Sequence, residues 1–455
     1  MNLYRRDLLR SLTCGSATLL PGILQLAGLG SARADAPNPL APRTPHFPAR
    51  AKRVIFLFSA GGVSHLDTFD PKPALEQRNG EASKKNTARK YLASPWKFSP
   101  GGKCGTQVSD IFPHLRGCMD EICLVRSLYG DHNDHAQATL GLHGGSVNFA
   151  RPSMGSWVSY GLGTENQNLP SFVVLAPKLP YGGGQPFSAD FLPGAHAGLR
   201  VSPGAEPVPN LNRRSATPRA QELELGLLAR FNQLHRDARA PDPRLEARIK
   251  SYETAFGMQA AMPDVLDLSK ETDATLDLYG MKRDTRDGYG WQCLIARRMI
   301  ERGVRFVEVL DVGASNNWDN HSNLRKHEEL ARNIDRPIAG LLRDLKSRGL
   351  LEDTLVVWSS EFGRTPASDS PDGRAHQASV YSAWMAGGGV RAGSVYGTSD
   401  EIGQKPGENP VHVHDFHATI LHCLGFDHTR LTFPFGGRDF RLTDIAGNVV
   451  PGLLA

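Results

Sequence analysis

The sequence predicts an α/β protein built on a mostly parallel sheet sandwiched by helices and interrupted by a helical and loop insertion. Three observations predict it. Short β-branched apolar runs, of which Leu355 to Trp358 is the clearest, are bounded by polar residues and glycines, as strands buried on both faces are. Helical and strand patterns alternate from Arg286 to Trp358 in a βα rhythm. Acids and histidines recur just after the predicted strands, at the carboxyl edge where α/β sheets bind ligands.

With 455 residues, the chain suits one large α/β domain with insertions, or two domains. Its 52 Lys and Arg against 47 Asp and Glu give a net charge of +5, with the two signs interspersed and no basic block of the kind that binds nucleic acid. Residues 1–34 read as an address: Arg5-Arg6, then an apolar stretch from Leu12 to Leu29 diluted by Gly15, Pro21 and Gly28, then Ala32-Arg33-Ala34. Paired arginines in that order point to the Tat translocase and a periplasmic or extracellular destination, with the mature chain starting near Asp35. The diluted stretch falls short of the roughly 20 apolar residues of a span, so no stable membrane span is expected in the mature chain. The five cysteines beyond the leader, Cys104, Cys118, Cys123, Cys293 and Cys423, contain no CxxC pair. Buried free thiols are the preferred reading, with one disulfide among the first three left open.

After an extended Pro-rich arm, Arg53 to Phe58 is the first strand; its glycine turn, Gly61-Gly62, allows close backbone approach and leads to His65, Asp67 and Asp70. Glu76 to Gly102 is polar and reads as a surface excursion. Ile122 to Leu128, a second strand, runs into Gly130-Asp131-His132-Asn133-Asp134-His135 and a helix ending at His143-Gly144-Gly145; His135 is the preferred site candidate there, though Asp and Asn also serve as caps. Ser171 to Leu175 is a third strand. Pro177 to Asn212 is Gly- and Pro-rich and reads as a long loop or lid. Two amphipathic helices follow, Arg219 to Ala238, with Leu223, Leu227, Phe231 and Leu234 at helical spacing, and Leu245 to Ala260. Residues 181–278 are taken as an insertion that caps or borders the site, between the two parts of the sheet domain, 35–180 and 279–455.

The rhythm resumes with a helix stopped by Gly303, a strand from Val304 to Leu310 ending in Asp311, and Asn316-Asn317-Trp318-Asp319-Asn320-His321. A helix from Leu330 to Leu345 leads to the strand at Leu355, which delivers Glu361; a Gly-rich loop then returns Arg374 and His376. Tyr381 to Met385 and Val390 to Gly397 offer further strands. In the last helix His422 is placed on the apolar side as a core histidine, while His412, His414, Asp415 and His417 stand at the entrance.

The Arg-Arg leader, Ala60-Gly-Gly-Val-Ser-His65-Leu-Asp67-Thr-Phe-Asp70-Pro-Lys72, Trp318-Asp-Asn-His321, Ser360-Glu-Phe-Gly-Arg-Thr-Pro366 and Gly437-Arg-Asp-Phe-Arg-Leu-Thr-Asp444 together resemble the exported bacterial family called domain of unknown function 1501. That family is grouped with the alkaline phosphatase and sulfatase superfamily, which implies a parallel sheet between helices and a site with one or two divalent metals. Carried over, the resemblance puts metal ligands on Asp67 (ahead of Asp70), Asp319, His321, Glu361 and His376. It puts the catalytic nucleophile position on His135, where no hydroxyl or thiol stands. Phe362 follows Glu361 where many relatives carry a second ligand histidine. Carboxylate and imidazole ligands suit Zn or Mn, and oxygen-richer sets Ca or Mg. Arg364 or Arg374 would clamp an anionic substrate, with His65 beside it. Two functions are carried forward: a metal-dependent hydrolase of small-molecule or glycan sulfate or phosphate esters, and a periplasmic metal- or ligand-binding protein that retains the fold without hydrolysis.

Overall fold

A computed structural model describes residues 38–455 except 214, 240–241 and 313–316; the Arg5-Arg6 leader and Asn316 lie outside the described residues. The strands in chain order are β1 (Arg53–Ser59), β2 (Phe98–Gly101), β3 (Thr106–Ser109), β4 (Ile122–Tyr129), β5 (Phe172–Leu175), β6 (Leu199–Val201) and β7 (Phe306–Asp311). They continue with β8 (Thr354–Ser359), β9 (Gly363–Ser370), β10 (Gly373–Gln377), β11 (Tyr381–Ala386), β12 (Ser394–Tyr396) and β13 (Val411–His412). The main sheet runs β12-β4-β11-β8-β1-β7-β5-β6, with β13 also paired to β4. Every pairing in it is parallel except those of β11 with its two neighbours.

Alternation along β1 explains the sandwich. Ile55 and Leu57 point into one core, with Trp291, Leu294 and Ile295 of α3 (Gly288–Glu301) and Ile334, Ile338 and Leu341 of α4 (Lys326–Ser347). Val54, Phe56 and Phe58 point into the other, with Leu142 of α1 (His135–Gly144), Trp157 of α2 (Met154–Leu162) and Phe416 and Ile420 of α5 (Val413–Cys423). Both faces of β1 are buried, hence its continuous apolar run. Gly303, at φ +84, lets the chain turn out of α3 as expected. Among the described residues no helix is long and apolar enough to cross a membrane.

Three expectations change. The segment from Pro177 to Asn212 is not wholly a loop, because Leu199–Val201 pairs parallel with β5 at the sheet edge; three residues are too few for alternation to register in the sequence. The 181–278 stretch, expected as one insertion, is divided between two compact units. Residues 213–246 belong to a compact unit of their own, whose helix Pro218–Asp237 is capped by Thr217 and leaves Leu223, Phe231 and Leu234 exposed. Met258, Met262 and Val265 of the following helix are buried in the core of the larger unit. The core histidine of α5 is His417, not His422: it lies four residues after Val413 and three before Ile420, on the buried stripe, with Nε2 2.6 Å from the Leu142 carbonyl. His422 is half-buried against Phe47. The cysteines from 104 onward are all free thiols, four of them buried.

Burial pulls the His417 and His196 imidazoles down to about 3, so both are neutral at pH 7. An unfolded chain takes up these protons below about pH 6.5, whereas the folded chain resists until about 3, so stability must fall as pH drops through that window. Denaturant midpoints measured from pH 7 to pH 4 are expected to decline, and less steeply in His417→Gln; parallel slopes would remove this assignment.

Candidate functional site

The site is built at the carboxyl ends of β8, β1 and β7. Beyond β8, the Ser360 hydroxyl donates to the Ser59 carbonyl (2.7 Å) and accepts from the Val63 amide (3.0 Å), tying the ends of β8 and β1 together. This presents Glu361, whose side chain is fully buried, to the Gly61 amide at 2.9 and 3.2 Å from its two oxygens. Gly61 holds φ +112, and a Cβ there would stand 2.6 Å from the amide nitrogens of Trp318 and Asp319. Only glycine lets the two loops meet so closely. Trp318 is pinned in turn: its amide donates to the Ala60 carbonyl and its indole N–H to Asp311 (2.6 Å). Burial pushes the Asp311 carboxyl up to about 6.

Three imidazoles face Asp319. His135 opens α1, which Asp134 caps, and its Nδ1 lies 2.5 Å from Glu361 Oε1. His376, on the β9–β10 hairpin, places Nδ1 2.9 Å from the Asn133 carbonyl. His321 places Nδ1 2.6 Å from Asp369 Oδ2. Each partner accepts only, so a neutral ring carries its proton on Nδ1 and turns a bare Nε2 inward. Those Nε2 atoms lie 3.2 Å (His135), 3.1 Å (His376) and 3.0 Å (His321) from an Asp319 oxygen, and the last two lie 2.9 Å from each other. His135 Nε2 is buried with no hydrogen bond of adequate geometry. Burial acts to lower the His135 pKa, but Asp319 and Glu361 overrule it and raise it to about 9. Burial likewise opposes the Asp319 charge, yet His135, His376 and Arg364 hold its carboxyl far below the usual carboxylate range. Acceptors turned toward one another at this spacing call for a positive centre among them. His135, Asp319 and His376 each offer an atom within 4.8 Å of the others, with His321 Nε2 beside Asp319, and imidazoles with one carboxylate suit Zn or Mn better than Ca or Mg. The residues thus fit a divalent cation.

The expected residues are not all brought together. Asp319, His321 and His376 converge as predicted, but His135, expected at the nucleophile position, joins their set, while Glu361 reaches it only through His135. Asp67 stands apart: Arg374 holds both its oxygens, at 2.8 and 3.1 Å, and Ser64 donates to one of them. Neither arginine is available as an anion clamp. Arg374 spends its remaining donors on the Thr365 and Pro366 carbonyls, and Arg364 spends its own on Asp319 and the Gly61, Gly62 and Arg374 carbonyls. Both are buried, and buried guanidinium groups are kept only by such pairing. His65 is buried too, bonded to the Gly403 carbonyl and closed off from substrate. Asp70 pairs with Lys72 at 2.9 Å. Sequence reasoning missed Tyr181, whose ring stacks on His135 at 4.2 Å and brings the start of the Pro177–Asn212 segment onto the site, and Asp369, which nothing in its polar neighbourhood distinguishes.

A second group, Asp131, His412 and His414, has metal-ligand composition. His412 Nδ1 accepts the His414 amide as the cap of α5, so its proton sits on Nε2 and goes to Asp131 at 3.1 Å. That ring has no bare nitrogen to offer.

A mostly parallel sheet that delivers imidazoles and a carboxylate to its carboxyl edge defines an α/β protein with a candidate metal centre. The chain matches the family described as protein of unknown function (DUF1501) over residues 51–454, and it belongs to that family. No curated protein matches it. Solved structures similar to it include the lipoteichoic acid synthase LtaP from Listeria monocytogenes (10% identity, covering 90% of this chain and 78% of that one, TM-score 0.34). Others are the PsFucS1 sulfatase from Pseudoalteromonas sp. (13%, 83% and 68%, 0.37) and alkaline phosphatase from the Antarctic bacterium TAB5 (12%, 74% and 92%, 0.32). These are distant likenesses and carry no residue-level correspondence.

The close approach at Gly61 is testable. Gly61→Ala is expected to cost about 1–3 kcal/mol in equilibrium unfolding, because backbone on both sides must shift. Gly184→Ala, at φ −89 with nothing within 4 Å of the new Cβ, should be near neutral. Equal effects at the two positions would contradict the packing described.

Proposed function

We propose that the protein is an exported, divalent-metal-dependent hydrolase of phosphate or sulfate esters, with His135, Asp319 and His376 holding the metal and His321 joining them. The observation that carries this reading is the convergence of three bare Nε2 atoms on one carboxylate at the ligand-binding edge of the sheet. A cation held there would polarise an ester oxygen and offset the charge that develops as the ester bond breaks. Glu361, the Asn133 carbonyl and Asp369 orient the three rings, and Arg364 keeps Asp319 ionised and fixed. Tyr181 and Phe362 flank His135 and exclude water from that side. Among the described residues, the Ser360 hydroxyl is taken up by the Ser59 carbonyl, the Val63 amide and the Glu361 oxygen far from His135. Water is therefore the simplest nucleophile, attacking phosphorus or sulfur as the alcohol leaves. Names of distant structural neighbours, among them a sulfatase and an alkaline phosphatase, agree in class with this chemistry. The Arg5-Arg6 leader supports Tat export, and a chain with both arginines changed to lysine is expected to stay in the cytoplasm.

A non-catalytic metal-binding protein is favoured by one observation: Arg364 and Arg374, the two arginines expected to bind the ester's anion, are both spent on internal partners. Metal analysis of protein from the exported fraction separates the readings when combined with turnover of aryl phosphate and aryl sulfate under added Zn or Mn. Stoichiometric metal is expected in the wild type and only traces in His135→Ala and His376→Ala. Turnover abolished by His321→Ala would establish the enzyme; metal without turnover on either ester would leave the binding protein; a metal-free wild type would end both.

A further inference from the structure

We infer that Asp369 is a positioning residue for the metal centre, and that the excursion at residues 76–102 serves to hold it in place. The inference rests on the metal reading above. All three rings meet ring neighbours: His135 lies between Tyr181 and Phe362, His376 lies 4.7 Å from the Phe362 ring, and His321 lies 4.7 Å from the His376 ring. His321 is the outlier, with 41% of its side chain exposed. Its backbone carbonyl is anchored to the hairpin by the Ser370 hydroxyl (2.7 Å), but its ring orientation depends on Asp369 Oδ2, 2.6 Å from Nδ1. A neutral imidazole has one ring proton, and a carboxylate at Nδ1 keeps it there. That leaves the Nε2 lone pair facing Asp319 and His376, with Arg364 Nη1 at 3.5 Å, and fixes the ring's direction as a ligand.

Asp369 is itself fixed from the other side. Its Oδ1 accepts from Arg89 Nη2 at 2.6 Å. Arg89 comes from the excursion, which the sequence offered as mere surface. In the structure the segment lies against β9 almost as a further strand: the Ser368 amide donates to the Lys90 carbonyl (2.8 Å) and the Leu92 amide to the Pro366 carbonyl (3.0 Å). Tyr91 between them is buried with Leu66 and Leu75. The order of action is excursion, Arg89, Asp369, His321, with only the last of these touching the cation.

Two measurements test this. Isothermal titration of Zn into the metal-free full-length mature protein should show Asp369→Asn and Asp369→Ala weakened about 10- to 100-fold. Asp369→Glu should recover part of the loss, Arg89→Ala should lose less, and Asp372→Asn on the same hairpin should be unchanged. All are expected to melt with the wild type when metal-free; if Asp369→Ala does not fold, the isosteric Asp369→Asn carries the test. Separately, nitrogen NMR of the metal-free protein should show His321 protonated on Nδ1 in the wild type and a mixed tautomer in Asp369→Asn. Zn affinity in Asp369→Asn within twofold of the wild type, or an unchanged His321 tautomer, would overturn the role of Asp369. A wild type that binds no Zn while the tautomer still follows Asp369 would instead sink the metal reading and leave the orienting contact standing.

Discussion

The site depends on one electrostatic constraint: lone pairs cannot be crowded against a carboxylate unless something positive lies between them. Asp319 has three imidazole nitrogens and the Arg364 guanidinium around it, and the guanidinium is the permanent charge among them. Without a cation a proton must be borrowed, and the raised pKa of His135 shows where it goes. Glu361, the Asn133 carbonyl and Asp369 share a single task, keeping the Nδ1 protons on the outside. A buried acceptor left without a partner costs about 1–3 kcal/mol, so this inward arrangement survives only because the surrounding backbone over-determines it. Gly61 is the clearest part of that backbone: it supplies an amide to Glu361 and yields the space that Trp318 and Asp319 occupy.

The buried arginines show how the frame and the site are coupled. Arg364 and Arg374 stitch the β9–β10 hairpin to the glycine turn after β1 and to Asp67. Their charge is spent on holding loops together. Neither guanidinium is left as a fork for an anion at this edge of the sheet.

Much of the frame was legible because it depends on local pattern. β1 and β8 are nearly continuous apolar runs, β4 and β7 are mostly apolar with Arg126 and Glu308 as their internal charged members, and α3 and α4 carry helical periodicity. That Asp319, His321 and His376 lie together was legible because each follows a strand or returns on a Gly-rich loop. The errors have one cause. Whether an acid or arginine faces a ligand or another side chain depends on contacts across more than 300 residues of chain, as between Asp67 and Arg374, which spacing does not encode. The placing of His135 against Asp319, with Glu361 behind it, escaped the sequence for the same reason: which of two adjacent groups points inward is set by the loop meeting at Gly61. β6 was too short to see, and Asp369 lies in a run of serine, aspartate and proline where every residue looks like surface.

The antiparallel placement of β11 has a consequence for how such proteins diverge. Because β11 lies directly beside β8, with Trp384 opposite Trp358, the chain between Ser359 and Tyr381 leaves the sheet and re-enters it at the same edge. Glu361, Arg364, Asp369, Arg374 and His376 all ride on that single excursion. Neither core includes residues of that excursion, but the buried Asp67 depends on its Arg374, so a lineage that trims it must replace Asp67 as well to keep a folded protein. Relatives with a short turn between these two strands should therefore lack the whole set of side chains at once.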